Sequence, residues 1–206
     1  MELTNEDIVL SGLGAASPVR EAARREIGAS LYRKHFLERV HLLPKHLQEA
    51  LRKGKAQISD APYYATGEIK GTRAELIKLS IPEELGITNI DNGKLGKDRY
   101  FTLSAIRLYF DGLAPAGSFV DPYPTPLLNG EWEMELNSKK VFEKQPIRKF
   151  HDGIFGYNVQ KPFGLYVLDN PKLIEPQTPI EFNIALPSNQ VGFLKVMLEG
   201  TTIYSN

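Results

Sequence analysis

A mainly β fold follows from three features of this 206-residue sequence. Prolines and aromatics crowd beyond residue 56, short apolar runs there lie between turn residues, and no helical period links those runs. The expected architecture is a single antiparallel sandwich of the Greek-key or jelly-roll kind behind an N-terminal helical arm. Of the 14 prolines 12 lie beyond residue 56, as do 18 of the 20 aromatics. The chain therefore divides into a helical, basic arm at 1–56 and a β-sandwich domain at 57–206. At about 150 residues per domain, the length suits one domain with an appendage.

The arm reads as helix from its start. Glu6 to Leu13 predicts a short helix capped by Thr4 or Asn5. Ser17 before Pro18 suits an N-cap followed by the first helical position, where a missing N–H costs nothing. Val19, Ala23, Ile27 and Leu31 recur every fourth residue, and Phe36 and Val40 extend the stripe. Pro44 should interrupt it, because its ring clashes with the preceding turn. Leu47, Ala50 and Leu51 then predict a shorter helix closed by Gly54.

Strands follow. Ile77, Leu79 and Ile81 alternate with polar residues before Pro82, and Tyr100 to Phe110 is an aromatic and β-branched run. Trp132, Met134 and Leu136 alternate with Glu131, Glu133 and Glu135, and Asn137-Ser138-Lys139-Lys140 reads as a hairpin turn into Val141-Phe142. Phe163 to Leu168, the alternation Ile180 to Leu186, Val191 to Leu198 and Thr201 to Tyr204 complete seven or eight strands. Gly112 to Gly130, with Pro115, Pro122, Pro124 and Pro126, is a long connection at one end of the sandwich.

Composition excludes several classes. With 42% hydrophobic and 24% charged residues the chain is globular rather than disordered. No apolar run approaches the roughly 18 residues needed to span a bilayer, and the acidic start argues against a cleaved secretory signal. Zero cysteines exclude disulfides, thiolate metal sites and a cysteine nucleophile. The 25 bases balance the 25 acids, yet residues 17–55 hold ten bases against four acids, a net of +6. Arg20, Arg24, Arg25, Arg33, Lys34 and Arg39 are thus the candidates for contact with phosphates, an anionic membrane or a neighbouring subunit.

Other motifs read more plainly as structure. Gly12-Leu13-Gly14-Ala15-Ala16-Ser17 imitates a dinucleotide fingerprint, but the following residues continue as helix where a second parallel strand is required. His35 and His41 fall on different sides of a helix and Pro44 separates His46, so no metal site is expected. His151-Asp152-Gly153 reads as a turn. No Gly-x-Ser-x-Gly elbow is present, and the three alternating glutamates read as a solvated strand face.

The arm and body together, with Gly130-Glu131-Trp132-Glu133-Met134-Glu135-Leu136-Asn137, Pro146-Ile147-Arg148-Lys149-Phe150, Pro179-Ile180-Glu181-Phe182-Asn183-Ile184 and Phe193-Leu194-Lys195-Val196-Met197-Leu198-Glu199-Gly200, resemble the jelly-roll structural (capsid) proteins of tailless bacteriophages. The resemblance covers roughly residues 66–204, is one of architecture, and fits a single barrel. It implies a non-enzymatic virion protein, made in the host cytoplasm, that self-assembles as a capsid subunit with an inward-facing N-terminal arm. The implied partners are copies of itself and other virion proteins, with nucleic acid or an internal membrane as candidates for residues 17–55. No cofactor or small-molecule substrate is implied. Two alternatives remain: a carbohydrate-binding sandwich stacking sugars on Tyr63, Tyr64, Tyr123 and Tyr157, and a cupin-like enzyme, for which the body supplies only His151.

Overall fold

The structure, a computed structural model, describes residues 31–151 and 164–204. The expected helix at 6–13, the glycine motif at 12–17, the Ser17-Pro18 cap, Arg20, Arg24, Arg25, Asp152, Gly153 and Tyr157 lie outside them. Two antiparallel sheets pack face to face. Their strands are β1 (Gln57–Ser59), β2 (Tyr63–Glu68), β3 (Gly71–Ile77), β4 (Arg99–Asp111), β5 (Glu131–Leu136), β6 (Lys139–Pro146), β7 (Leu165–Ile174), β8 (Ile180–Gln190) and β9 (Phe193–Tyr204). The first sheet runs β1-β9-β4-β7, with β2 on the same edge of β9 as β1, and the second runs β3-β8-β5-β6.

Alternation along the strands places the core between the sheets. Phe101, Leu103, Ile106, Leu108, Leu194, Val196 and Leu198 face inward from the first sheet onto Leu76, Trp132, Met134, Ile180, Phe182 and Ile184 of the second. Trp132 stacks on Phe182 at 5.2 Å and meets Phe150 and Tyr166 at 5.4 and 5.9 Å. The longest strand, β4, carries a bulge: pairing with both β7 and β9 shifts between Leu103 and Ala105. Gly200 of β9 lies opposite, so close to the Thr102 carbonyl that a Cβ would collide with it.

A second apolar cluster lies outside the first sheet. Helix α1 (Leu31–Arg39), a 3-10 turn (Val40–Leu42) and α2 (Lys45–Arg52) bury Phe36, Val40, Leu43, Leu47 and Leu51 around Ile203, with Ile58, Tyr100 and Leu173 beside them. Pro44 precedes α2, and Gly54, at φ +69°, follows it, donating its N–H to Leu51. The expected stripe of Phe36 and Val40 is thus the face that docks on the sheet.

Three strand assignments change. The strand expected around Ile77 to Ile81 lies earlier, at Gly71–Ile77, and Leu79 is exposed. Strand β2 carried no apolar signal, because two of its inward positions are Ala65 and Gly67; a Cβ at Gly67 would crowd the Glu75 carbonyl at 2.9 Å. Val191 heads no strand: it occupies the turn before β9, which then runs unbroken from Phe193 to Tyr204. The hairpin turn is Asn137-Ser138 alone, both at positive φ, with β6 starting at Lys139.

Candidate functional site

At one end of the sandwich the β2–β3 turn, the β4–β5 connection and the β8–β9 turn meet: Ile69 N–H donates to the Gly192 carbonyl at 2.9 Å, Phe110 bridges to Asp121, and Asp111 pairs with Phe193. Here Leu113, Val120 and Val191 are 91%, 74% and 77% exposed. Three aliphatic side chains standing in water at one end are an unrealised burial of about 1.5–3 kcal/mol each.

These tips are held in place. Asp111, the buried last residue of β4, accepts hydrogen bonds from the N–H groups of Leu113 at 2.8 Å, Ala114 at 3.0 Å and Phe119 at 3.2 Å. Those donors hold its carboxyl below the usual carboxylate range. Asp121 accepts from Gly112 N–H at 2.8 Å, closing the loop on itself. Gly117 passes so near the Asp111 carboxylate that a Cβ would strike it. Phe119 turns inward at φ +53°, and Val120 is left pointing out. The short helix α3 (Thr125–Leu128) then buries Leu127 and returns the chain to β5. Sequence alternation missed Leu113, Val120 and Val191; the signal that marks them is a lone aliphatic among turn residues, as in Gly112-Leu113-Ala114-Pro115 and Gln190-Val191-Gly192.

Three of the six basic candidates, Arg33, Lys34 and Arg39, fall within the described residues. Arg39 is used inside the fold: its guanidinium donates to the Pro171 carbonyl at 3.0 Å and to Asn170 at 3.3 Å, where β7 departs from its ladder with β4. Lys34 is exposed, and one terminal nitrogen of Arg33 is buried without a hydrogen-bond partner. Tyr32, beside them, donates its hydroxyl to Glu199, which also accepts from Arg107 Nε at 2.5 Å. Burial, then the bond to Glu199, pushes the Tyr32 phenol up to about 12.

The remaining candidates separate. His35 is buried between α1 and the first sheet with Nδ1 unpartnered, and His41 and His46 are exposed. Among the described residues no three His, Asp or Glu side chains are placed to hold a metal ion. His151 ends the short helix α4 (Arg148–His151), its ring 6.2 Å from that of Tyr123. The expected stacking platform is not formed by its described members: Tyr63 and Tyr123 are core residues, and Tyr64 lies 4.5 Å under the Lys195 ammonium. Lys195 also reaches the Phe119 ring at 5.5 Å, and burial lowers its pKa. The chain is a two-sheet antiparallel sandwich with a helical layer on one face. No protein-family model matches it, and no curated protein matches its sequence.

Proposed function

We propose that this sandwich is a jelly roll and that the protein is a non-enzymatic, shell-forming virion subunit that self-associates through the loop end carrying Leu113, Val120 and Val191. The strand order supports the fold reading. Numbered from β2, the eight long strands place the first, eighth, third and sixth in one sheet and the second, seventh, fourth and fifth in the other. That order is what two long antiparallel ribbons give when rolled together, the jelly-roll arrangement.

The loop end carries the functional reading. Exposed aliphatic side chains on pinned loops are surfaces awaiting a partner, and a closed shell offers the same partner around a symmetry axis. Each contact is modest, so assembly depends on many copies acting together. The basic segment 17–55 then faces inward toward genome, internal membrane or other virion proteins. Sedimentation and electron microscopy of the concentrated protein test this: closed particles or discrete oligomers are expected, and Leu113→Asp with Val191→Asp should shift them to monomer with an unchanged circular dichroism spectrum. A wild-type chain that stays monomeric at high concentration overturns the reading.

A further inference from the structure

The outer face of the second sheet holds a hollow of about 290 Å³. Its shape follows from register. Arg73 of β3, Ala185 of β8 and Glu131 of β5 form one row across the sheet, and Glu75, Asn183 and Glu133 form the next. Residues paired in register point to the same side, so β8 supplies a low floor between two taller walls. The short Ala185 is what opens the space. Neighbouring strands lie about 4.8 Å apart, so the walls on β3 and β5 stand about 10 Å apart, room for one sugar ring between them. The far end is closed by a bulge in β6: Trp132 pairs with Gln145 and Met134 with Phe142, which lifts Lys144, at φ +45°, over the hollow.

The chemistry of the lining is specific. Glu133 is engaged by Lys140 at 2.8 Å and Glu75 by Lys78 at 3.4 Å. Among the described residues Arg73, Asn183, Glu131 and Lys144 make no side-chain hydrogen bond or ion pair. Three of these four present planar groups able to make paired hydrogen bonds: a guanidinium, an amide and a carboxylate. Such groups match the two oxygens of a vicinal diol.

We propose that this hollow is a saccharide-binding site that takes one ring of a neutral glycan, Asn183 and Ala185 forming its floor and Arg73 and Glu131 gripping hydroxyls from opposite walls. Charges of both signs face each other across it, which removes the uniform field that a nucleic acid or phosphate ligand needs. The charged side chains of Arg73, Glu75, Glu131, Glu133 and Lys144 around the hollow disfavour lipid. The volume sits just under the range of about 300–1,000 Å³ typical of small-ligand pockets and so fits one sugar unit rather than a large cofactor. With hydrogen bonds and no exposed aromatic ring, one site should bind only weakly, with a Kd of about 1 mM as the expectation, and repetition on an assembly would raise the affinity. The inference stands apart from the shell reading, because the hollow lies on a sheet face and the apolar tips lie at the loop end.

Titration of the full chain with maltotriose, chitotriose and lactose, followed by amide chemical shifts, tests it, with trialanine as a peptide probe. At least one of the saccharides should bind and shift the amides of residues 73–75, 131–133 and 183–185. Asn183→Ala and Arg73→Ala should each weaken binding about three- to tenfold. Ala185→Tyr, a residue suited to an exposed strand position, fills the hollow and should abolish binding with the circular dichroism spectrum retained. Binding of trialanine in preference to every saccharide, binding indifferent to Ala185→Tyr, or no saccharide binding at millimolar concentration would overturn the proposal. Sedimentation of the same samples reads self-association separately, so either idea can fail alone.

Discussion

The two outer faces of the sandwich are built from the same alternation and end up in opposite conditions. Over the first sheet α1 and α2 bury Ile203, with Ile58, Tyr100 and Leu173 packed alongside, and β4 is buried on both sides from Phe101 to Ile106. Among the described residues the outer face of the second sheet is open, and its outward positions include Arg73, Glu75, Glu131, Glu133, Asn183, Glu181 and Lys140. A face that carries large apolar side chains must be covered, whereas one that carries charges is stable in water and free to bind. Covering one face fixes the helices; leaving the other open makes the hollow.

The largest expected effect comes from breaking the cover. Phe36 is fully buried between helix and sheet, so Phe36→Ala should cost about 3–5 kcal/mol in urea denaturation, from lost transfer energy and the cavity left behind. Glu181→Ala on the open face should change stability by less than about 0.5 kcal/mol. Equal losses at the two positions would mean that α1 contributes no packing. The next contrast sets two ion pairs against each other. Glu199 and Arg107 lie under α1 with side chains only 13% and 22% exposed, and Glu199 also accepts the Tyr32 hydroxyl. Glu199→Ala strands a mostly buried guanidinium and should cost about 2 kcal/mol. Glu133→Ala, which frees the more exposed Lys140, should cost under about 1 kcal/mol.

How much of this was legible depended on what each inward position carried. Strand β4, with Phe101, Leu103, Ile106, Leu108 and Phe110 pointing inward, was readable in full apart from its bulge at Ser104. Strand β2 was not, since Ala65 and Gly67 make no alternating signal where β2 and β3 come close. The Phe36 and Val40 stripe was visible as an apolar face, but its partner was not: Tyr100 and Ile203 are far away in sequence and looked like ordinary strand residues. Arg39 illustrates the same limit, because a cation that caps the Asn170-Pro171 excursion has the sequence signature of a surface charge. The hollow was invisible for a related reason. The three alternating glutamates mark an outward face, but that Ala185 lies between Glu131 and Arg73 is a matter of cross-strand register, which local pattern does not encode.

A smaller effect separates the faces by pH. His35 is buried at the covered face, where burial lowers its imidazole pKa from the ordinary 6.5; Glu38, Lys34 and Arg39 on its own helix and Asp169 on β7 are the charged groups around it. As pH falls past that ordinary value the unfolded chain takes up the proton before the folded one does, so the folded state loses stability progressively below about pH 6.5. Stability measured from pH 7.5 down to 5 should therefore decline, by less than the Glu199→Ala loss. His35→Leu should flatten that portion of the curve. A slope unchanged in His35→Leu would place the acid sensitivity at another group, and not at Asp111, whose contribution disappears only below the ordinary carboxylate value.

The smallest effect concerns what holds the open face together in place of a helical cover. Strands β5 and β6 are neighbours in sequence and are joined by Asn137-Ser138, both at positive φ, the requirement of a type I′ turn. Asn tolerates that conformation; Ser pays a steric penalty through its Cβ, of about 1 kcal/mol, which glycine removes. Part of the gain is returned because glycine has more freedom in the unfolded chain. Ser138→Gly should thus stabilise the protein by about 0.5 kcal/mol, read as a higher urea midpoint at unchanged slope. The sign is the informative part. A gain means that the positive-φ strain of Ser138 outweighs the entropy that glycine returns to the unfolded chain, whereas a loss means that the Ser138 side chain makes a contact that outweighs its strain.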